Sequence, residues 1–559
     1  MKLKKLIISS LAIAALGVSC KKFDTMLDNP NTPSVSAASA DLYLNQAQLS
    51  FAGFFNATSD YGMQLTRQVV FYGPSYQNGY TPQSFDGLWS TAYTGVLKHA
   101  NALIPIADQQ KKYVNVGMAK IMKAYVLMTM VDIFGDVPGT EANLGSANLN
   151  PKADKGNVVY AAALALLDEA IVDLGKTPGS YPGTQDLFFG ASNATGAARW
   201  RTLAKTLKLR ALMNTRLVDQ AGAKAKIDAL LTENDLINAT ASDFEFKYSN
   251  KLANPNSRHP RYNGNYTAAR SAGDYMGTWF MWSMVQEKGN FSNNAAADQS
   301  DPRTRYYFYR QRINYSDVNQ NSSSCSVSPY PAHFPPGMPF CLLLAGFWGR
   351  DHGDDSGIPP DGNLRTTWGI YPAGGQFDEN QGTTIALELG GRGAGIQPIW
   401  QSSFTDFLKA EAILKLSSAG DARALLESGV RKSITKVTSF PATVGVTPTA
   451  TFVPDATKIN NYVNKVLALY DAATTADAKL NVVMKEYYIA LWGNGMEAWN
   501  NYRRTSYPSG MQLTKVTDPG KYARSMYYPS VFVNRNLNAT QKPGVTTKVF
   551  WDTNPSDLQ

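Results

Sequence analysis

The chain of 559 residues is 44% hydrophobic and 17% charged, with 53 Lys and Arg against 44 Asp and Glu. Its formal charge of +9 is small for that length, and no basic run interleaved with aromatics accompanies it, which argues against nucleic-acid binding. Three cysteines and four histidines make no zinc pattern.

At the amino end, Lys2, Lys4 and Lys5 precede an apolar run from Leu6 to Val18, and small residues lead into Cys20. A positive start and an apolar stretch too short to cross a bilayer comfortably describe a cleaved secretory signal over residues 1–19. With Cys20 at the cut, the stretch is similar to a bacterial lipobox, in which the thiol is acylated and becomes the first mature residue. Ser19 fits that pattern, whereas Gly17 and Val18 stand where leucine and a small residue are usual. Ordinary cleavage beside an incidental cysteine is the alternative. Loss of the three signal lysines lowers the charge to +6. No later stretch is apolar enough to span a membrane, so acyl chains are expected to hold an otherwise soluble body at a membrane surface. Outside the cytoplasm, Cys325 and Cys341 are expected to pair, a constraint worth roughly 3 kcal/mol, with two free buried thiols as the alternative.

Residues 20–38, with two prolines and many small polar side chains, read as an extended tether. Apolar residues then recur at helical spacing from Asp41 to Phe55 and from Phe85 to Asp108, with Ser39 and Asp86 as capping residues. Between them lies FYGPSYQNGYTPQ, a loop with aromatic side chains. Met118, Ile121, Met122, Tyr125, Met128 and Thr129 form one stripe of a helix that ends before Gly135, and Val159, Ala163, Leu166, Leu167, Ala170 and Leu174 form another. A further helix follows in ARWRTLAKTLKLRALMNTRL. From about Phe244 to Trp400 the periodicity collapses into glycine, proline, asparagine and aromatic residues, which predicts an irregular lobe folded back on the helices. Helical spacing resumes at Phe404, Phe407, Leu408 and Leu414 and continues in segments to Asn501. The expectation is a mainly α chain: an α-solenoid of helix pairs at about 39–240 and 402–505, with the loop-rich lobe at about 241–401, all in one body over 39–559.

Several strings, taken in order, resemble the SusD/RagB family of outer-membrane lipoproteins: NPNTP in the tether, VDIFGDVPGTEA (Val131 to Ala142), ARWRTLAKTLKLRAL (Ala198 to Leu212), ADQSDPR ending at Arg303, FTDFLKAEAIL (Phe404 to Leu414) and ALWGNGMEAWNNYRRTSYP (Ala490 to Pro508). The stretch from Phe347 to Asp378 resembles one SusD-like subfamily. The resemblance implies tetratricopeptide-like helix pairs that dock on a SusC-like, TonB-dependent β-barrel, and an irregular lobe whose loops bind a nutrient. It implies an outer-membrane lipoprotein on the cell-surface side that delivers an oligosaccharide, or in a close variant a peptide, to that barrel. Lys21 and Lys22 stand where surface-exported members often carry acidic residues, so the surface side follows from the partner and not from the signal.

A glycan presents flat apolar faces rimmed by hydroxyls, so its site needs aromatic platforms flanked by polar side chains. Three clusters meet that description. The first is Tyr72, Tyr76 and Tyr80 with Gln77 and Asn78, in the loop between early helices. The second, Tyr275, Trp279 and Trp282, lies at a spacing that also suits packing of a short helix. The third is Trp348, Trp368 and Tyr371 beside Arg350. Asp351, Asp354, Asp355 and Asp361 supply oxygens suited to a structural calcium, although their spacing is not that of an EF-hand and tight Asp turns explain them without metal; no other cofactor is implied. His352 among these carboxylates reads as a hydrogen-bonded loop residue. Glu411 falls on the apolar face of its helix, which predicts a buried ion pair with Arg503, Arg504 or Arg210. No nucleophile elbow or zinc helix is present, so a surface glycosidase using paired carboxylates is the weaker alternative to a non-enzymatic binding protein.

Overall fold

A computed structural model of the protein describes residues 39–73, 75–267, 273–314, 329–354 and 365–559. Cys20, Cys325, Asp355 and Asp361, with the signal and tether, lie outside the described residues. The chain begins in helix α1 (Ala40–Leu65), whose first turn is capped by the Ser39 hydroxyl accepting from the Asp41 amide at 3.1 Å. This helix runs ten residues past the Phe55 at which its apolar stripe ends. Its second half buries Thr58, Ser59 and Gly62 in place of large apolar side chains, because another helix crosses close by: a Cβ on Gly62 would lie 2.1 Å from the Gly495 carbonyl oxygen.

A continuous helical run follows, made of α2 (Asp86–Ser90), a π-helical stretch over Thr91–Leu97, and α3 (Lys98–Gln109). Helix α4 (Tyr113–Phe134) is buried on nearly every side and stops at Gly135, whose φ of 84° ends the helix. It packs against α3, against α5 (Gly156–Asp173) and against α6 (Ala194–Thr215), and α6 in turn packs on α7 (Gln220–Glu233). Neighbours in sequence are thus neighbours in space, the arrangement of an α-solenoid.

The chain then enters the lobe through strand β1 (Phe244–Lys247) and leaves it through β4 (Ile396–Trp400), and these two strands pair antiparallel. Inside are short helices α8 (Pro260–Tyr266), α9 (Thr278–Val285) and α10 (Thr304–Tyr307), and a minimal ladder of β2 (Phe308–Tyr309) with β3 (Thr367–Trp368). Helices resume with α11 (Ser402–Leu416), α12 (Ala422–Thr443), α13 (Ala456–Ala472), α14 (Ala476–Ala490) and α15 (Gly495–Thr505). Trp492, between α14 and α15, inserts into the lobe, stacking on Trp368 at 4.2 Å and on Phe280 at 4.9 Å.

Buried charge joins these layers. Arg210 of α6 donates to Glu497 of α15 and, at 2.9 Å, to Asp132 of α4, which also accepts from Asn500 and Trp551. Glu411 of α11 is fully buried and receives Arg504 at 2.6 and 2.8 Å and Arg216 at 2.6 Å. Of the three arginines considered from sequence, Arg504 is its partner. Arg210 serves Asp132 and Glu497, and Arg503 lies over the Trp499 ring at 3.6 Å. Burial alone would raise the Glu411 carboxyl, but the Arg504 and Arg216 charges and their hydrogen bonds lower it to about 2.

Glu411→Ala leaves two guanidinium groups in a dry interior and is expected to cost about 3–5 kcal/mol in denaturant unfolding. Because the folded carboxyl titrates near 2 and its ordinary value is 4.5, its contribution is complete above about pH 4.5 and is lost as pH falls toward 2. The stability gap between the wild type and Glu411→Gln should therefore hold steady near neutrality and close on acidification. A gap that stays constant down to about pH 2 would contradict the pairing.

Candidate functional site

Three extended segments lie side by side where the lobe meets α1. Val70 donates its amide to the Tyr275 carbonyl at 2.9 Å, Gly277 donates to Gln68 at 3.0 Å, and Arg350 donates to Met276 at 3.0 Å. This ladder sets Tyr72, Tyr275 and Trp348 next to one another. Tyr275 is buried, with Tyr72 and Trp348 meeting its ring edgewise at 6.5 and 6.2 Å, and the Arg350 and Arg365 guanidinium groups 4.7 and 4.8 Å from its centroid. Tyr72 is 43% exposed and offers the open ring of the group.

Next to Tyr275 in the chain, Asp274 accepts from Trp368 Nε1 at 2.7 Å, from Asn265 Nδ2 at 3.0 Å and from Arg261 Nη1 at 3.2 Å. The other arm of Arg261 reaches Asp60 of α1 at 2.7 Å, and Asp60 accepts from Gln64, whose amide oxygen takes the Tyr80 hydroxyl at 2.8 Å. Of these groups Asp60, Arg261, Asn265 and Asp274 line an open cavity of about 360 Å³, together with Asn56 and Tyr61. Burial would raise the Asp274 carboxyl, but the Arg261 charge and three hydrogen-bond donors outweigh it and hold it below the usual carboxylate range. The result is a pocket with an ionised carboxylate, a guanidinium and amides, walled in part by Tyr61; the exposed Tyr72 is not among its lining residues and connects to it through Tyr275, the chain neighbour of Asp274.

The structure thus brings together members of all three predicted aromatic clusters, but most are walls and not platforms. Gln77 and Asn78 are exposed, and Tyr80 is half-buried against the Tyr61 ring at 5.2 Å. Tyr76 is buried, its hydroxyl 2.9 Å from His352 Nε2 and accepting from Arg67 at 3.2 Å. Trp348, Arg350, Trp368 and Tyr371 are also buried. Trp368 stacks on Trp492, and Tyr371 stacks on Tyr307 and takes a hydrogen bond from Gln401 at 2.6 Å. Trp279 is buried and Trp282 half-buried, both turned toward Lys485, whose ammonium lies 3.8 Å from the Trp279 ring centroid. A lobe with little regular structure has few aliphatic stripes to bury, so these aromatics form its core. Asp60, Arg261, Asn265 and Asp274 were not singled out from sequence; the position of Asp274 directly before Tyr275 was the available signal.

The aspartate run gives no shared centre among the described residues. Asp351 is buried, accepts from Gln512 at 2.6 Å and from the Cys341 amide, and burial raises its carboxyl to about 6. Asp354 pairs with Lys515 at 3.0 Å. Both use their oxygens on protein donors, and no group of three or more His, Cys, Asp or Glu suited to a metal occurs among the described residues. Cys341 is disulfide-bonded.

A family model described as "Starch-binding associating with outer membrane" matches residues 30–327, and one described as "Susd and RagB outer membrane lipoprotein" matches residues 397–546. No curated protein matches the sequence. Among solved structures, the fold is similar to a chitin-binding protein (TM-score 0.65, 21% identity, covering 92% of this chain and 100% of that one). It is also similar to a SusD/RagB family protein from Bacteroides thetaiotaomicron (TM-score 0.63, 19% identity, 92% and 99% covered). A chitin-binding SusD homolog from Flavobacterium johnsoniae gives a TM-score of 0.57 at 19% identity, with 92% and 100% covered.

The split between walls and open surface has a direct check in thermal and denaturant unfolding. Trp368→Ala should destabilise the protein by about 3–5 kcal/mol, whereas Tyr72→Ala should change stability by no more than about 0.5 kcal/mol.

Proposed function

Because the chain belongs to the SusD/RagB family of outer-membrane lipoproteins, we propose that it captures an oligosaccharide at the Tyr72–Asp274 site and delivers it to a SusC-like, TonB-dependent β-barrel. The observation that carries the glycan reading is the chemistry gathered there. Within the cavity Asp60 and Asp274 accept hydrogen bonds, Arg261 donates them and Asn56 and Asn265 do both, while Tyr72, reached through Tyr275, offers an exposed ring to an apolar sugar face. A sugar ring needs that mixture. The names of the chitin-binding neighbours and of the starch-binding family model agree with it.

Binding without hydrolysis fits the same groups. A glycosidase keeps one carboxyl protonated to act as the acid, whereas the Arg261 charge and its hydrogen-bond donors hold Asp274 below the usual carboxylate range. The anchor in this reading is acylated Cys20, since no helix among the described residues is long and apolar enough to cross a membrane. The helix pairs are the surface offered to the barrel, and the cell-surface side follows from that partner.

Calorimetry of the mature protein with chitohexaose, maltohexaose and a set of peptides tests the ligand. Saccharide binding that weakens about tenfold in Tyr72→Ala is the expected result. Peptide binding alone would reassign the ligand, and no binding combined with no barrel recovered from membranes would overturn the reading. Cys20→Ser should move the protein from the membrane to the soluble fraction, and unchanged fractionation would remove the lipid anchor.

A further inference from the structure

A second and larger groove, of about 800 Å³, lies between the Ala295–Arg305 stretch of the lobe and the Ala450–Lys465 stretch that leads into α13. It shares no lining residue with the Tyr72–Asp274 site. Its volume is within the usual range for ligand pockets. Helix α13 explains how it forms. Tyr462, Val463, Val466, Leu467 and Tyr470 are its buried face, while Thr457, Asn461 and Asn464 recur at helical spacing on a polar face that looks across the groove at the lobe.

The carboxylate in the floor is already paired. Asp298 is buried and accepts from Ser300 at 2.6 Å and from Lys458 at 2.7 Å, with Arg305 at 3.7 Å. Asp298 therefore presents no bare carboxylate to a ligand. What remains for one is a set of neutral groups that both donate and accept: the amides of Gln299, Asn461 and Asn464 and the hydroxyls of Thr451 and Thr457. Beside them is the half-buried ring of Phe452, with the Arg305 guanidinium 4.7 Å from its centroid. Lys465 donates to the Gln299 amide oxygen over a long 3.5 Å and lines the groove, where it is positioned to donate to a further oxygen.

We infer that this groove is a second carbohydrate site, which takes a short neutral stretch of a hydroxyl-rich chain. The inference rests on the glycan reading above but on none of the residues of the first site. A ring over Phe452 with its hydroxyls on Asn461, Asn464 and Gln299 satisfies the lining without breaking the Asp298–Lys458 pair.

The test is calorimetry of the mature protein with chitohexaose and maltohexaose, using the double variant Asn461→Ala/Asn464→Ala, Phe452→Ala and Tyr72→Ala. Asn461 and Asn464 are exposed, so the double variant should unfold at the wild-type midpoint. Two binding events are expected in the wild type, one weakened at least about tenfold by the groove variants and the other by Tyr72→Ala. A single event lost in Tyr72→Ala and untouched by the groove variants overturns the groove and leaves the proposed function standing. A single event lost only in the groove variants supports the groove and overturns the Tyr72 assignment. No saccharide binding by any form overturns both.

Discussion

Helix α15 carries Glu497, Arg503 and Arg504 with almost no access to water, and the fold depends on how they are met. A charge taken out of water costs several kcal/mol unless partners surround it. Here the partners come from distant parts of the chain. Arg210 of α6 answers Glu497, Glu411 of α11 answers Arg504, and the Arg524 carbonyl takes a hydrogen bond from Arg503 at 2.6 Å. Asn500, on the same helix, reaches Asp132 of α4. One short helix therefore fixes how the early helix layer sits against the late one, since any slip in register would strand an ion in the interior. Such pairs are better at specifying one arrangement than at adding net stability. The close crossing of Gly62 and Gly495 brings α1 onto the same helix.

The lobe is held by the same means. Arg303 is buried between Asp301 at 2.6 Å and Glu486 of α14 at 3.3 Å, and Lys288 reaches Glu486 at 3.1 Å. Arg310 forks onto Asp378. These residues include the DPR of the ADQSDPR string, just as Asp132, Glu411 and Arg504 belong to the other strings that carry the family resemblance. The recognisable segments are the polar frame of the fold, and the cavity lined by Asp60, Arg261 and Asp274 lies outside them.

That division explains what could be read from sequence. Helices were legible wherever a large apolar stripe marked their buried face, as in α4 and α5. The last ten residues of α1 were not, because Thr58, Ser59 and Gly62 bury there for close approach and interrupt the hydrophobic period before Met63 and Leu65. Glu411 announced itself as a charge on an apolar face, but Arg216, 195 residues away, carried no local sign of being its second partner. The lobe misled most. Without periodicity, a buried Trp348 or Trp368 looks the same as an exposed platform, and Tyr72 looked no different from Tyr76. Asp60, Arg261 and Asp274 come from separate elements and meet only through tertiary structure.

The pairing of β1 with β4 means that the lobe leaves and rejoins the helical frame at adjacent points, one strand spacing apart. Topologically it is a cassette. A lobe of different length can join the frame at the same two points, Lys247 and Ile396, provided that it meets the contacts set by the frame. These include an aromatic slot for Trp492, a cation for Glu486, an extended segment beside Gln68 and Val70, and partners for Asp60, Lys458 and Lys485. A foreign lobe must therefore match the frame along that whole seam, whereas loops that lie away from it are under no such constraint.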